Sequence, residues 1–313
     1  MVTDTPGIHH ITGIVRSAEE NVRFYRDILG LRLVKQTVNF NEKFTRHLFY
    51  GDETGLPGTA LTFFPYPAED DRRDGKPQIS TVSLVIPSDS ISYWQERLKE
   101  HDIEVEGPSE RFEETVLRFA DPDGTQLELI TGESDVEPWP DGPVPTEHAV
   151  RGIHGVTLLS TNVYVTASVL DTLGFELIAQ EGDRVRYQAP GSRATVIDFL
   201  DRDADFGREG AGSIHHVAVR VHSEAELYEW HDLFRERGYE VSRVKDRHFF
   251  HSLYVREPGG ILIELATETP GLTAAEDLAT LGESLFLPPW LEEDREMIES
   301  QLQPLDLSSP GTN

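Results

Sequence analysis

The hydrophobic and polar positions of this chain follow a pattern that repeats, with strand-like runs alternating with amphipathic helical segments. The first unit predicts a strand at Ile8–Val15 and a helix over residues 18–29. Apolar residues recur at helical spacing in that helix, at Val22, Tyr25 and Leu29. Three more strand-like runs follow, at residues 31–39, 45–50 and 59–64. The unit therefore reads strand, helix and about three strands.

The same order of elements recurs three more times, which indicates an internal repeat. The second unit predicts a strand, a helix and a closing hairpin, at residues 80–86, 90–101 and 116–130. The third unit predicts an opening strand, a helix and a closing strand, at residues 152–156, 166–173 and 195–200. The fourth unit opens at His215 and closes with a hairpin over residues 253–265. A capping box formed by Ser223 and Glu226 marks the start of its helix.

Four βαβββ modules in tandem predict an α+β fold, and a stretch rich in proline and acidic residues predicts where the chain divides. We expect an N-terminal domain of two modules, a linker, a C-terminal domain of two modules and a tail, at residues 1–132, 133–151, 152–268 and 269–313. The tail has an amphipathic segment over residues 290–302, which predicts a helix that covers the protein or contributes to an interface.

The composition excludes several classes of partner and chemistry. The 313 residues include 56 acidic and 28 basic side chains, and the net charge of -28 would repel nucleic acid and anionic membranes. This acid-rich, lysine-poor composition resembles that of proteins from a high-salt cytoplasm. The absence of cysteine excludes disulfides and thiolate ligands. We expect a cytoplasmic protein, because there is neither a membrane-spanning apolar run nor a signal peptide.

Pairs of adjacent histidines open the first and fourth units, at residues 9–10 and 215–216. Aligning the unit openings places His154 with the first histidine of each pair and Gly155 with the second. Successive strand residues face opposite sides of a sheet, so only one histidine of each pair can face a given cavity. If the second position faces it, only units one and four can supply imidazole, and His154 is a packing or hydrogen-bonding residue.

Hairpin geometry predicts a carboxylate partner for these histidines. Centring the last hairpin on Gly259 places Glu264 opposite Tyr254, and directly opposed residues share a face of the sheet. Glu264 stands in an otherwise apolar strand, where a carboxylate is costly unless it is paired or bound to metal. The same construction in unit two sets Glu128 opposite Arg118, which predicts a structural ion pair.

His10, His216 and Glu264 would together offer two imidazoles and one carboxylate. This facial ligand set is typical of non-haem Fe(II) oxygenases and leaves three coordination positions open. A layout with both histidines from the C-terminal half is disfavoured, because Gly155 stands where unit three would need the imidazole. The residues therefore predict a metal centre shared between the first and the last quarter of the chain.

Four phrases of the sequence carry a resemblance to a known family: GIHHIT at 7–12, YRDILGL at 25–31, PGT at 57–59 and SLYVREP at 252–258. The chain resembles the vicinal oxygen chelate superfamily of glyoxalases, extradiol ring-cleaving dioxygenases and bleomycin-resistance proteins, over roughly residues 7–267. It is similar to the branch that contains hydroquinone dioxygenases. The resemblance implies two glyoxalase-like domains with open, cup-shaped mixed β-sheets, and it implies iron ligands at His10, His216 and Glu264.

Five further residues are candidates for catalysis: His9, Thr12, His215, Arg247 and Tyr254. Two of them adjoin the predicted ligand histidines, one lies two residues beyond a ligand, and Tyr254 faces the predicted carboxylate. Ring cleavage needs groups that take and give protons. By resemblance to hydroquinone dioxygenases, all five match positions around the substrate. Tyr254 and Arg247 equally fit an ordinary strand aromatic residue and a surface cation.

Other residues allow both a functional and a structural interpretation. His47 fits a cavity wall or a structural role, and His251 stands where the family motif varies. Four phenylalanines could form an apolar wall for an aromatic ring, although packing in the core is their usual role: Phe63, Phe64, Phe249 and Phe250.

The sequence predicts an Fe(II)-dependent, extradiol-type ring-cleaving dioxygenase that acts with O2 on a catechol or hydroquinone, with Mn(II) as an alternative metal. A second hypothesis is a glyoxalase-type isomerase or lyase that uses Ni or Zn. Such sites usually need a fourth protein ligand, and residues 61–64 contain no carboxylate. A third hypothesis is a non-catalytic protein of the same fold that binds a small aromatic compound. A homo-oligomer is compatible with the sequence.

Overall fold

The computed structural model describes residues 2–274 and 276–307, in which 17 strands and four α-helices follow the predicted repeat and a fifth α-helix lies in the tail. Residues 1, 275 and 308–313, which belong to the predicted N-terminal domain and tail, lie outside the described residues. Among the described residues, no helix is long and apolar enough to cross a membrane.

Each of the four units contains an opening strand, a helix and the strands that follow it. Unit one contains β1 Ile8–Val15, α1 Ala18–Val22 with its π-helical continuation Arg23–Ile28, β2 Arg32–Asn39, β3 Glu42–Gly51 and β4 Ala60–Pro65. Unit two contains β5 Gln78–Ile86, α2 Ile91–Glu100, β6 Glu106–Arg111, β7 Glu114–Ala120 and β8 Gln126–Thr131. Unit three contains β9 Ile153–Leu159, α3 Val163–Thr172, β10 Glu176–Glu181, β11 Arg184–Gln188 and β12 Val196–Leu200.

Unit four has two short strands that the sequence pattern did not predict, β14 and β15. The unit contains β13 Ile214–Val221, α4 Glu224–Glu236, β14 Glu240–Val241, β15 Lys245–Asp246, β16 His251–Arg256 and β17 Leu262–Thr267. The tail contains the 3-10 turns Leu278–Thr280 and Pro289–Asp294 and the helix α5 Arg295–Gln301. The prediction of four βαβββ units in an α+β fold is therefore confirmed.

The strands form two open mixed sheets. Each sheet combines one unit of the predicted N-terminal domain with one unit of the predicted C-terminal domain. In the first sheet β1 lies between its parallel partner β4 and its antiparallel partner β13, which in turn pairs with β17. In the second sheet β5 lies between β8 and β9. Unit one therefore shares a sheet with unit four, and unit two shares a sheet with unit three. A single pairing of Ile214 with Ile79 connects the two sheets.

The fourth unit shows how the sequence places one face of each strand toward a cavity. Helix α4 starts at Ser223, whose Oγ accepts a hydrogen bond from the amide of Glu226 as the capping box predicted. The helix buries Leu227, Trp230 and Phe234 against the sheet, in the same core as Val217 and Val219. Alternate residues of β13 point the other way, so the face that carries the second histidine of the pair is free to line the cavity.

The tail lies along the outer edge of β2 within the same chain. The amide of Phe286 donates to the carbonyl of Gln36 over 2.8 Å, and Leu285 forms a parallel bridge with the same residue. The buried Lys35 pairs with Glu276 of the tail, and its Nζ lies 4.8 Å from the ring centre of Phe249. The tail therefore covers the edge of β2. Through Glu276 it also holds Lys35 against the ring of Phe249.

In the second sheet, the glutamate equivalent to Glu264 is Glu128, and it belongs to an ion-pair network. Glu128 lies opposite Arg118, as the hairpin register predicted, and its Oε1 accepts from Arg118 Nε over 3.0 Å. Arg111 donates to both oxygens of Glu128 over 2.9 and 2.7 Å. Burial opposes ionisation, yet the guanidinium of Arg111 lowers the pKa of Glu128 from 4.5 to about 2. This carboxylate is therefore charged and paired at neutral pH.

The substitution Glu128→Gln should lower the free energy of unfolding by about 3 kcal/mol at neutral pH, because it leaves the guanidinium of Arg111 buried without a counter-ion. The folded pKa of Glu128 lies below its unfolded value, so the wild type holds this stability above pH 4.5 and loses it as the pH falls toward 2. Urea titrations at neutral pH and at about pH 3 should show the gap between the two proteins shrinking on acidification. A pH-independent gap, or an equal loss in the exposed control Glu104→Gln, would contradict the assignment.

Candidate metal centre

Three buried side chains from the two ends of the chain meet at one point of the first sheet. His10 Nε2 lies 3.2 Å from Glu264 Oε2, and His216 Nε2 lies 2.8 Å from the same oxygen. One potential ligand atom from each of the three residues lies within 4.8 Å of the other two, and all three side chains are buried. The structure thus brings together the three residues that the sequence selected as metal ligands.

The register of three neighbouring strands produces this convergence. His10 of β1 lies opposite Ala218 of β13, and Ala218 lies beside Glu264 of β17. His216 stands two residues before Ala218 and so shares its face of the sheet. The small side chain of Ala218, in the middle of the row, leaves space between the imidazoles and the carboxylate. A larger residue at that position would occupy the point where the three ligand atoms meet.

The polar atoms of this group lack the hydrogen bonds that buried polar atoms normally make. Glu264 Oε1, Glu264 Oε2 and His216 Nε2 have no hydrogen-bond partner within residues 2–274 and 276–307, although they lie close together. Burial opposes the charged form of Glu264, and the neighbouring imidazoles of His10 and His216 hold its pKa well below the usual value. Atoms that lie close together but form no hydrogen bonds with one another are expected around a shared cation. The three residues therefore fit a metal ion.

His9 and His215 are each the extra residue of a β-bulge in the β1–β13 ladder. The first shift in register lies between Ile8 and His10, where His9 is the extra residue of β1. The second lies between Thr12 and Gly13, where His215 is the extra residue of β13. A bulge breaks the strict alternation of side chains and re-aims the bulged one. His9 and His215 consequently turn toward the histidine that follows each of them, an orientation that simple alternation did not predict.

These two histidines contact the far side of the predicted ligand imidazoles. His9 Nδ1 lies 2.9 Å from His10 Nδ1, and its Nε2 lies 3.1 Å from the carbonyl oxygen of Thr267. Burial lowers the pKa of His9 to about 3, so its ring is neutral. A neutral ring that donates from Nε2 to Thr267 accepts at Nδ1, which puts the proton of His10 on Nδ1 and leaves His10 Nε2 free. The Nδ1 atoms of His215 and His216 make a similar contact of 2.7 Å, while His215 Nε2 lies 4.0 Å from Glu209.

A cavity lies in front of the three side chains, and part of it is continuous with solvent. Its walls are mainly aromatic, formed by five phenylalanines: Phe40, Phe49, Phe64, Phe249 and Phe250. Of the predicted catalytic residues, Thr12, Arg247 and Tyr254 line it, whereas His9 and His215 stand behind the ligand imidazoles. Phe63 belongs to the core instead.

Tyr254 and Arg247 form a pair at one side of the cavity. Tyr254 lies opposite Glu264 as the hairpin register predicted, and its hydroxyl accepts a hydrogen bond from Arg247 Nη2 over 3.1 Å. Burial and the charge of Glu264 raise the pKa of Tyr254, so the phenol stays protonated at neutral pH. The phenolic proton and the remaining guanidinium donors can therefore bind an oxygen atom of a ligand in the cavity.

Sequence reasoning left several cavity residues, among them Thr37, Asn39 and Phe49, without a functional role, whereas His47 was already a candidate for the cavity wall. Thr37 and Asn39 alternate on β2, and His47 and Phe49 alternate on the neighbouring strand β3, so the period of two was a usable signal for all four. His251, by contrast, lies outside the cavity lining, 3.9 Å from Glu224.

A family model described as the Glyoxalase/Bleomycin resistance protein/Dioxygenase superfamily matches residues 7–129 and 170–265, which is more than half of the chain. The chain belongs to this superfamily. The open mixed sheets and the repeated units of the structure agree with this membership, as the resemblance of the sequence implied.

This superfamily member is similar over nearly its whole length to proteins named as dioxygenases. The "Putative ring-cleaving dioxygenase MhqO" of Bacillus subtilis is 40% identical over 309 residues, which are 98% of this chain and 99% of the relative. The "Chlorohydroquinone/hydroquinone 1,2-dioxygenase" of Sphingobium indicum is 36% identical over 301 residues, with coverage of 91% and 92%.

Solved structures show the same relationship at the level of the fold. The crystal structure of a "putative dioxygenase" from Bacillus subtilis matches with a TM-score of 0.94 and 39% identity, and covers 98% of this chain and 99% of that protein. Glyoxalase I from Zea mays matches with a TM-score of 0.64 and 17% identity, with coverage of 84% and 92%. The latter likeness shows the fold that this superfamily member shares with glyoxalases.

Backbone packing in unit three explains why the second sheet of this superfamily member holds no equivalent histidine. Gly155 occupies the position of His10 in the repeat, and a Cβ atom there would lie 2.2 Å from the carbonyl oxygen of Val196. The preceding residue, His154, pairs with Glu114 over 2.8 Å, so it has the hydrogen-bonding role that the register predicted. No imidazole fits at this position of the second sheet without displacing β12.

The substitution Gly155→Ala should lower the free energy of unfolding by at least about 2 kcal/mol, because the new methyl group must displace a strand carbonyl. Chemical denaturation of the two proteins measures the difference. Gly132→Ala is the matched control, since a Cβ atom there would lie 3.5 Å from Val85 Cγ1, an ordinary contact. Equal stability of wild type and Gly155→Ala would contradict the steric explanation.

Proposed function

We propose that this protein is an Fe(II)-dependent ring-cleaving dioxygenase that acts on a catechol or a hydroquinone. The observation that carries the proposal is the buried group of His10, His216 and Glu264, whose unpaired ligand atoms face an aromatic cavity. The names of the relatives support it, because a ring-cleaving dioxygenase and a hydroquinone 1,2-dioxygenase are among them.

Two imidazoles and one carboxylate form the ligand set of the facial triad, and His10, His216 and Glu264 would hold the ion. Ferrous iron bound there would supply a redox-active centre with three coordination positions open to the substrate and O2. A divalent cation would also neutralise Glu264, whose buried carboxylate otherwise lacks a hydrogen-bond partner among the described residues. The ion would therefore supply the counter-charge that this buried carboxylate needs.

The outer histidines hold the ligand imidazoles in one tautomer and one orientation. His9 is anchored by the carbonyl of Thr267 and contacts His10, and His215 contacts His216 in the same way. Fixing the proton of a ligand histidine on Nδ1 keeps Nε2 available to a metal. In this proposal His9 and His215 act as positioning residues, because both stand behind the ligands.

The cavity walls suit a flat aromatic ring that carries hydroxyl groups. Phe249 and Phe250 belong to the aromatic lining that would pack against the faces of such a ring. Arg247 and Tyr254 offer a cationic donor and a neutral phenolic proton beside Glu264. Arg247 would stabilise the anionic form of a substrate hydroxyl near the metal centre, while the phenol of Tyr254 can donate a hydrogen bond to a developing negative charge.

The isomerase hypothesis lacks its fourth ligand. Within residues 2–274 and 276–307, the group of close metal-binding side chains contains two histidines and one glutamate, with no second carboxylate. On β4, where glyoxalase-type chemistry would need one, Thr62 and Phe64 face the site region instead. The observations therefore favour the dioxygenase.

Oxygen uptake tests the proposed reaction. Protein purified under anaerobic conditions and loaded with Fe(II) should consume O2 when it receives members of a panel of catechols and hydroquinones. Ring cleavage should consume about one O2 per substrate molecule and produce a ring-opened acid, which mass spectrometry detects. Bound zinc or nickel together with no oxygen consumption across the panel would overturn the proposal.

The substitution His216→Ala should abolish stoichiometric iron binding, because it removes one of three protein ligands from a buried site. Iron content after anaerobic reconstitution, measured by elemental analysis, gives the result directly. His154→Ala is the matched control, since it removes the repeat-related histidine that pairs with Glu114 away from the centre. Unchanged iron content in His216→Ala would remove the ligand assignment.

The substitution Tyr254→Phe should leave iron binding intact and lower kcat at least tenfold, because only the phenolic hydroxyl is lost. The hydroxyl contacts Arg247, and neither residue is one of the three proposed ligands. Steady-state oxygen uptake and iron content measured on the same preparation separate the two effects. Full activity in Tyr254→Phe would show that Tyr254 acts through packing alone.

A further inference from the structure

A polar patch interrupts the aromatic wall of the cavity on the side formed by unit one. The patch consists of Thr12, Thr37, His47 and Thr62, which come from the strands β1, β2, β3 and β4 respectively. Three of the four residues line the cavity, and Thr62 is fully buried behind them. Arg247, Tyr254 and Glu264, which the proposed chemistry uses, come instead from unit four.

Hydrogen bonds connect three members of the patch. The Oγ1 atoms of Thr12 and Thr62 lie 2.7 Å apart, and His47 Nε2 lies 2.9 Å from Thr62 Oγ1. His47 also packs between Phe49 and Phe64, with ring centres 4.0 and 4.3 Å away. The imidazole is therefore fixed by one hydrogen bond and two aromatic neighbours. Burial lowers the pKa of His47 well below its usual value, which keeps the ring neutral.

Thr37 is the member whose hydrogen bonding is incomplete. It lies opposite His47 in the β2–β3 ladder and is fully buried, yet its Oγ1 has no partner among the described residues. A buried hydroxyl without a partner costs about 1–3 kcal/mol. Because Thr37 lines the cavity, a ligand in the cavity can supply that partner.

We propose that Thr37 and His47 form a subsite that binds the second hydroxyl of a dihydroxylated ring, the hydroxyl that is not directed at the metal centre. This inference rests on the proposed function. A threonine hydroxyl and a neutral imidazole offer a donor and an acceptor without net charge, which suits a hydroxyl group. A carboxylate would find no cation in the patch. Thr37 and His47 are thus specificity-determining residues.

Such a subsite discriminates by leaving its own polar groups unpaired when the hydroxyl is missing. Hydroquinone and 4-methylphenol form a suitable pair of probes, because a methyl group replaces the second hydroxyl in the latter. Calorimetric titration under anaerobic conditions gives the dissociation constant of each for the Fe(II)-loaded protein. We expect the wild type to bind hydroquinone at least about tenfold more tightly than 4-methylphenol.

The substitution Thr37→Val should reduce this ratio of dissociation constants about fivefold to tenfold, because one hydrogen bond to the hydroxyl is lost. Thr37→Ser keeps the hydroxyl and should restore the ratio. His47→Phe, which suits the aromatic wall, should also reduce it. The matched control is Thr125→Val, since Thr125 Oγ1 is likewise buried without a partner but lies outside the cavity lining, and its ratio should equal that of the wild type.

The outcomes separate this inference from the proposed function. A wild type that neither binds the phenols nor consumes O2 overturns both. A wild type that consumes O2 with hydroquinone, combined with an unchanged ratio in Thr37→Val and His47→Phe, overturns only the subsite. Equal weakening of both probes would also overturn it, because loss of packing affects a methyl and a hydroxyl group alike. A reduced ratio in both variants and its recovery in Thr37→Ser would support the subsite.

Discussion

The antiparallel pairing of β1 with β13 is the constraint on which the candidate site depends. It joins the first unit to the last and sets His10 opposite Ala218, so that one imidazole from each end of the chain reaches the same face of one sheet. Closing so long a loop costs conformational entropy, which grows only slowly with loop length. Burial of apolar side chains behind the sheet, including those of α4, offsets that cost.

The two sheets satisfy a buried glutamate in different ways on the same framework. In the second sheet, the guanidinium of Arg111 supplies the counter-charge of Glu128 from within the chain. In the first sheet, Glu264 lies beside the imidazoles of His10 and His216 and opposite the phenol of Tyr254, and its oxygens lack hydrogen bonds among the described residues. A buried carboxylate needs a partner in either case. The first sheet is therefore the one that suits an added cation.

Each of the side chains around the candidate centre is held in place by another side chain. The imidazoles of His10 and His216 are contacted by bulged histidines, and Tyr254 is contacted by Arg247. One cavity wall, at Phe249, is backed by Lys35, whose charge is paired with Glu276 of the tail. Preorganisation of this kind limits the reorganisation that substrate binding requires. The tail thus contributes to the cavity from outside the four repeated units.

Strand period, hairpin register and the internal repeat can be read from the sequence, so the sequence by itself determined the repeat, the choice of His10, His216 and Glu264 as candidate ligands, and the facing of Tyr254 and Glu264. The orientation of His9 and His215 was decided by bulges, which no local pattern predicted. Only the tertiary structure decided that Thr37 and His47 line the same cavity as His10, His216 and Glu264. This shared lining requires β2 and β3 of unit one to lie near β13 and β17 of unit four, and that proximity follows from the pairing of β1 with β13, which are far apart in the chain.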